Sequence, residues 1–227
     1  MAKNKLNRRY PLSLATSILT LAVKSGIPRS MKQIVLASSS SYKKQLLQRL
    51  GIPFVVDAAN VDETINTVMT PEQTARFLSL KKASHIAPKY SNSVIIGTDQ
   101  VADLHGSPIN KPHTHEQAVA QLRAQSGKSV YFHTAVTLLS KNLTGEVTEY
   151  TGVTSTEVHF RDLSLAQINA YLNHEKPYDC AGSFKAEGLG IRLFHRIDSV
   201  DPTALIGLPL IDLCSQLLNI GIEIPYN

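Results

Sequence analysis

Three short apolar runs, Ile34–Ala37, Phe54–Val56 and Val94–Gly97, each break at a polar turn rather than running on. Runs this short, bounded by turn residues, suit buried strands better than helices. Helical stretches lie between them. Tyr42 to Leu50 reads as a helix ending at Gly51, and Pro71 to about Ala87 as another, with Thr70 as its cap. His115–Ala124, Leu165–Asn173 and Ile211–Asn219 also read as helices. Val130–Leu139 and Val147–His159 read as long strands around the turn Asn142-Leu143-Thr144-Gly145, and Ile191–Phe194 as a further strand. Alternation of this kind predicts an α/β fold. At 227 residues and 43% hydrophobic content, the chain suits one domain, or one domain built as two lobes.

A net charge of +5 suggests a nucleic-acid binder at first sight. Its distribution argues otherwise. Lys3, Lys5, Arg8, Arg9, Lys24 and Arg29 fall in the first 30 residues, which contain no acid. Taking those six from the 23 basic residues leaves 17 against 18 acidic ones, so the body carries −1. There is no Trp to build a stacking surface for single strands. Basic side chains must then act locally, as around a small phosphorylated ligand. Cys180 and Cys214 form no disulfide framework and lack zinc spacing. They read as buried small side chains in a reducing, cytoplasmic compartment.

Residues 1–30 have a basic start and a short apolar stretch, as a signal peptide does. Ser and Thr interrupt that stretch, and it is too short to span a membrane. Met31 stands directly before the first strand. The segment is therefore expected to be an extension, disordered or outside the native reading frame. A targeting or surface helix is the alternative. Residues 31–227 are expected to form one domain, with no membrane association.

Four features carry chemistry. Ser38-Ser39-Ser40-Ser41 sits between a strand and a helix, with Lys43 and Lys44 one turn in. Backbone N–H groups at such a helix start attract phosphate, although there is no Walker sequence. Asp62-Glu63 follows the second strand, and Thr98-Asp99-Gln100 directly follows the third. Carboxylates at strand ends lie where open α/β sheets place ligands. They can hold a hard cation or take a proton from water. Lys82 on the second helical stretch, and Lys111 and Lys185 in loops, suit point charges on phosphate. Taken singly, each feature is more often a turn, a cap or a solvated side chain.

Taken together and in order, they resemble the Maf-like family of nucleoside triphosphate pyrophosphatases. The matching stretches are Ile34-Val35-Leu36-Ala37-Ser38-Ser39-Ser40, Val61-Asp62-Glu63-Thr64, Ile96-Gly97-Thr98-Asp99-Gln100-Val101, Asn110-Lys111-Pro112, Cys180 to Gly188 and Leu205-Ile206-Gly207-Leu208-Pro209. They span about Lys32 to Ile224. The resemblance implies an elongated α/β fold around a mixed, strongly twisted sheet, in two lobes with a central cleft. It implies hydrolysis between the α and β phosphates with a divalent cation, Mg²⁺ or Mn²⁺, at Glu63 and Asp99. Asp99 matches the family's proton acceptor. Ser38, Lys43, Lys82, Lys111 and Lys185 match substrate-binding positions. Where many members carry Pro-Arg-Arg, this chain has Ser41-Tyr42-Lys43. An aromatic residue at Tyr42, with Gln100 and Glu187, is similar to the branch that cleaves 7-methyl-GTP. The branch acting on dTTP and UTP has Arg near position 42. A cationic methylated guanine would stack on Tyr42, and Glu187 would accept from guanine N1–H and N2–H₂. The implied partner is a modified nucleotide, and pairing of two copies as a homodimer is left open. The rival expectations are pyrimidine triphosphate hydrolysis, a non-catalytic regulator of cell division, and an RNA-binding module.

Overall fold

The structure is a computed structural model that describes residues 32–65 and 68–225. The extension expected over residues 1–30 lies outside the described residues.

Among the described residues seven strands form one mixed sheet: β1 (Gln33–Leu36), β2 (Val55–Val56), β3 (Ser93–Leu104), β4 (Ser107–Ile109), β5 (Ser129–Lys141), β6 (Val147–Phe160) and β7 (Phe194–Asp198). Their order is β2-β1-β3-β5-β6-β7, with β4 pairing β3. Pairing is parallel between β1 and both β2 and β3, and antiparallel elsewhere. The helices are α1 (Ser41–Gln48), α2 (Pro71–Ile86), α3 (His115–Gln125), α4 (Leu165–Glu175) and α5 (Leu210–Asn219).

Capping sets the helix starts. Thr70 and Gln73 form a reciprocal capping box at α2, as do Ser164 and Gln167 at α4. Leu210, Leu213 and Leu217 of α5 recur at helical spacing and are buried. Pro209, before α5, supplies no side-chain cap. Buried Asp201 takes that role: its Oδ2 accepts the Ile211 N–H at 2.7 Å, and its Oδ1 accepts the Thr203 hydroxyl at 2.6 Å.

Two expected boundaries move. The strand expected over Val94–Gly97 continues to Leu104, because eleven consecutive residues of β3 find partners on β5, from Ser93↔Lys141 to Asp103↔Tyr131. Asp99 and Gln100 are therefore inside a long strand and not beyond its end. The strand expected over Ile191–Phe194 is instead a 3₁₀ turn over Leu189–Leu193, and β7 begins at Phe194. Gly190 allows the turn to close on Lys185, whose carbonyl oxygen would lie 2.3 Å from a Cβ at position 190. The Glu175 carboxylate fixes it by accepting the Leu189 N–H at 2.7 Å.

The two ends of β3 sit in different cores, and Ile95 packs on the opposite face with Val35, Ala83 and Ile86. Val94 and Ile96 pack with Leu36, Leu47, Val136 and Leu213 at one end. Ala102 packs with Phe132, Val158, Ile168 and Phe184 at the other. Thr98–Gln100 lie between the two. Among the described residues no helix is long and apolar enough to cross a membrane.

Candidate active site

Pairing leaves a gap on one edge of β3. The parallel partner β1 ends at Leu36↔Ile96, and β4 begins opposite Ala102. Among the described residues no strand lies beside Gly97–Val101 on that side. The serine turn and α1 follow β1 directly into this gap, so the site does lie at a carboxyl strand end, that of β1.

A cleft of about 1240 Å³ opens here. Ser38, Tyr42, Lys43, Glu63, Lys82, Asp99, Gln100, Lys111, Lys185 and Glu187 all line it. Residues separated by up to 149 positions in the chain, Ser38 and Glu187, thus face one space.

The serine turn holds itself. Ser38 Oγ accepts the Ser40 N–H at 3.2 Å, and Ser40 caps α1 by accepting the Lys43 N–H at 3.4 Å. Lys43 then reaches across the gap and donates to the Thr98 carbonyl at 3.1 Å. Gly207 makes room for its stem, since a Cβ there would stand 3.1 Å from Lys43 Cε. Lys43 keeps some solvent contact, yet burial lowers its ammonium pKa to about 8, against the upward pull of Asp99.

Lys82 of α2 bridges two carboxylates. Its Nζ lies 2.5 Å from Asp99 Oδ1 and 2.8 Å from Glu63 Oε1. Burial opposes the Lys82 charge, but Asp99 and then Glu63 outweigh it and hold the pKa above the ordinary lysine value. Burial likewise opposes ionisation of Glu63. The hydrogen bond and charge of Lys82, helped by Lys111 and Lys43, win and lower its pKa. Asp62 does not line the cleft. Its carboxylate accepts the Thr64 N–H at 2.9 Å, and its carbonyl accepts from Lys81 at 2.6 Å. It shapes the loop that presents Glu63.

Gln100 has a fixed orientation. Its Nε2 donates to the Ala204 carbonyl at 2.9 Å, the Leu205 carbonyl at 3.0 Å and Thr134 Oγ1 at 2.9 Å. Two of these partners can only accept, so the amide nitrogen is unambiguous and Oε1 is the free acceptor. Lys185 Nζ sits 5.9 Å from the centre of the Tyr42 ring. Burial is the main cause that raises the Tyr42 hydroxyl pKa. Glu187 is exposed and makes no ion pair with Lys185 or any other described residue.

Sequence reasoning missed Phe132, His113, Gln117 and Asp179, which also line the cleft. Phe132 lies mid-strand and carries no motif. His113 adopts φ +59°, a backbone that only the fold reveals.

Both carboxylates of Glu63 and Asp99 converge on one cation, the Lys82 ammonium. Two hard oxygen donors meeting at one cationic centre suit a hard divalent cation, which keeps most of its shell for water and phosphate. Glu157, His159 and Asp198 also bring ligand atoms within 4.8 Å of one another. They lie outside the cleft lining, and Arg196 already pairs with Asp198 at 2.8 Å.

A family model described as Maf-like protein matches residues 33–220. The chain is 47% identical over 193 residues to a protein of Polaromonas sp. named 7-methyl-GTP pyrophosphatase, covering 85% of this chain and 87% of that one. A protein of the same name from Pseudomonas savastanoi pv. phaseolicola is 47% identical, over 86% of this chain and all of the relative. One from Thiobacillus denitrificans is 48% identical, over 86% and 96% respectively. A match of that length and identity leaves no ambiguity of descent, and the chain belongs to the Maf-like protein family.

Proposed function

We propose that this protein hydrolyses 7-methyl-GTP to 7-methyl-GMP and pyrophosphate in the cytoplasm, removing a modified nucleotide. The observation that carries this reading is one cleft with an acid–lysine cluster (Glu63, Lys82, Asp99) and a separate aromatic and acceptor set (Tyr42, Gln100, Glu187). The relatives' shared name supports the choice of base.

Lys43, Lys111 and Lys185, with the N–H groups at the start of α1, would hold the triphosphate. Lys82 holds Asp99 Oδ1 at 2.5 Å and so fixes the position of the carboxylate that would act as base. Asp99 takes the proton of a water whose oxygen bonds to the α-phosphorus, while the bond to the α–β bridging oxygen breaks and pyrophosphate leaves. Glu63 and Asp99 would hold the divalent cation, which supplies charge neutralisation to the triphosphate when bound. Tyr42 already receives a cation on its ring, and a methylated guanine would take that place as Lys185 turns to phosphate. The free Oε1 of Gln100 and the unpaired Glu187 offer acceptors to the guanine N–H edge.

Turnover of 7-methyl-GTP, GTP, UTP and dTTP with Mg²⁺ or Mn²⁺ tests the reading. Preference for 7-methyl-GTP is expected. Preference for UTP and dTTP would replace the substrate, and no pyrophosphate from any of them would favour a non-catalytic regulator.

A further inference from the structure

A second groove, of about 510 Å³, lies between α4 and the Leu189–Leu193 turn. Its rim carries Arg161, Arg192 and His174, and its floor includes Leu163, Leu193 and Tyr171. No acidic side chain lines it. Among the described residues neither guanidinium has a hydrogen-bond or ion-pair partner. Of the nearby acids, Glu175 accepts the Leu189 N–H, and neither it nor Asp162 lines the groove. Two unpaired guanidiniums lining one groove with apolar side chains offer charge-assisted donors to a phosphate and apolar contact to the group attached to it.

We propose that this groove is a second binding site, for a phosphate monoester bearing a flat or aliphatic body. One of its lining residues, Tyr171, also holds the loop that carries Lys185 and Glu187. The Tyr171 hydroxyl accepts the Lys185 N–H at 3.1 Å, and Gly190 closes on the Lys185 carbonyl. A ligand seated between α4 and this turn therefore tightens residues 185–193, and through them one wall of the cleft.

The test uses the full chain and GMP as probe, with calorimetry and hydrogen exchange, and does not depend on the reaction assigned to the cleft. Wild type is expected to bind GMP at a site that Arg161→Gln/Arg192→Gln weakens about tenfold or more, as loss of charge-assisted bonds requires. Amides of 185–193 are expected to exchange more slowly with GMP in wild type and not in the double variant. Both arginines are exposed, so an unchanged thermal melt is expected to accompany the loss. Tyr171→Phe should keep binding but lose the added protection at the Lys185 amide. Equal affinity and equal protection in the double variant would place all binding in the cleft and overturn the proposal. So would wild-type binding that Lys82→Ala abolishes completely.

Discussion

Gly97 is where packing and chemistry meet most tightly. It lies on β3 two residues before Asp99, under α2. A Cβ at this position would stand 2.1 Å from the Ser79 carbonyl oxygen, 2.8 Å from Ala83 Cβ and 2.9 Å from Ala83 N. Two of these obstacles are backbone, so no side chain can turn aside to relieve them. An ordinary carbon–oxygen contact needs about 3.3 Å, so Gly97→Ala must push α2 back by on the order of 1 Å. Overpacking against backbone costs about 3 kcal/mol, the upper part of the usual range. For a chain of this size that lowers Tm by roughly 6–12 °C. Lys82 stands between Ser79 and Ala83 on the same turns of α2 and bridges Asp99 and Glu63 at 2.5 and 2.8 Å. A helix retreat of that size breaks the bridge, and misplacement of about 1 Å costs around 10²-fold in rate. Differential scanning fluorimetry and pyrophosphate release from 7-methyl-GTP at 25 °C, well below the melt, read the two effects separately. A lowered Tm with unchanged kcat would show that α2 packing does not place Lys82. An unchanged Tm would refute the steric argument itself.

Asp99→Asn keeps size and hydrogen bonding but cannot take a proton. It should fold normally and lose about 10²–10⁴-fold in kcat, and a wild-type rate would end its role as base. Lys43 is charged below its pKa of about 8 and neutral above it, so the KM for the triphosphate should rise as pH passes from 7.5 to 9.5. Lys43→Met should raise KM at pH 7.5 and flatten that limb; a limb that survives the substitution belongs to another group. Tyr42→Ala should cost about 0.5–2 kcal/mol of discrimination between 7-methyl-GTP and GTP, read as the ratio of their kcat/KM values, and an unmoved ratio would remove Tyr42 from base recognition.

The motifs legible in the sequence were those set by local chemistry. Serines before a helix, Thr70 as the cap before Pro71, and the turn between the two long strands declare themselves within a few residues. Features set by pairing across the sheet did not. Nothing in Thr98–Leu104 distinguishes a loop from a strand, because the polar Thr98, Asp99 and Gln100 interrupt the apolar run; β5, joined by β4 from Ala102 onward, imposes extension there. The same cause explains the correction to the placement of Asp99. A carboxylate at a strand end would face solvent on several sides. Inside β3 its side chain is only 11% exposed and takes Lys82 as a partner from above the sheet.

The buried polar residues argue the same point from the other direction. Asp201 looks like a turn residue beside Pro202, yet it is 2% exposed and holds both Thr203 and the first turn of α5. That rigid corner presents the Ala204 and Leu205 carbonyls that fix Gln100 and the Gly207 carbonyl that accepts from the Thr98 hydroxyl. One buried carboxylate with no place in the cleft thus orients two residues of the β3 segment that lines it. A reading that looks only for charged residues at strand ends ranks Asp62 above Asp201, whereas in the fold both are structural and Asp201 bears more of the site. Removing its carboxylate would take the acceptor from the Ile211 and Thr203 N–H groups, while the Thr203 hydroxyl keeps the Leu208 carbonyl, at a cost of about 1–3 kcal/mol for each N–H left buried and unpaired. The geometry of Gln100, and with it any acceptor offered to the base, therefore depends on a residue more than a hundred positions away that touches no substrate.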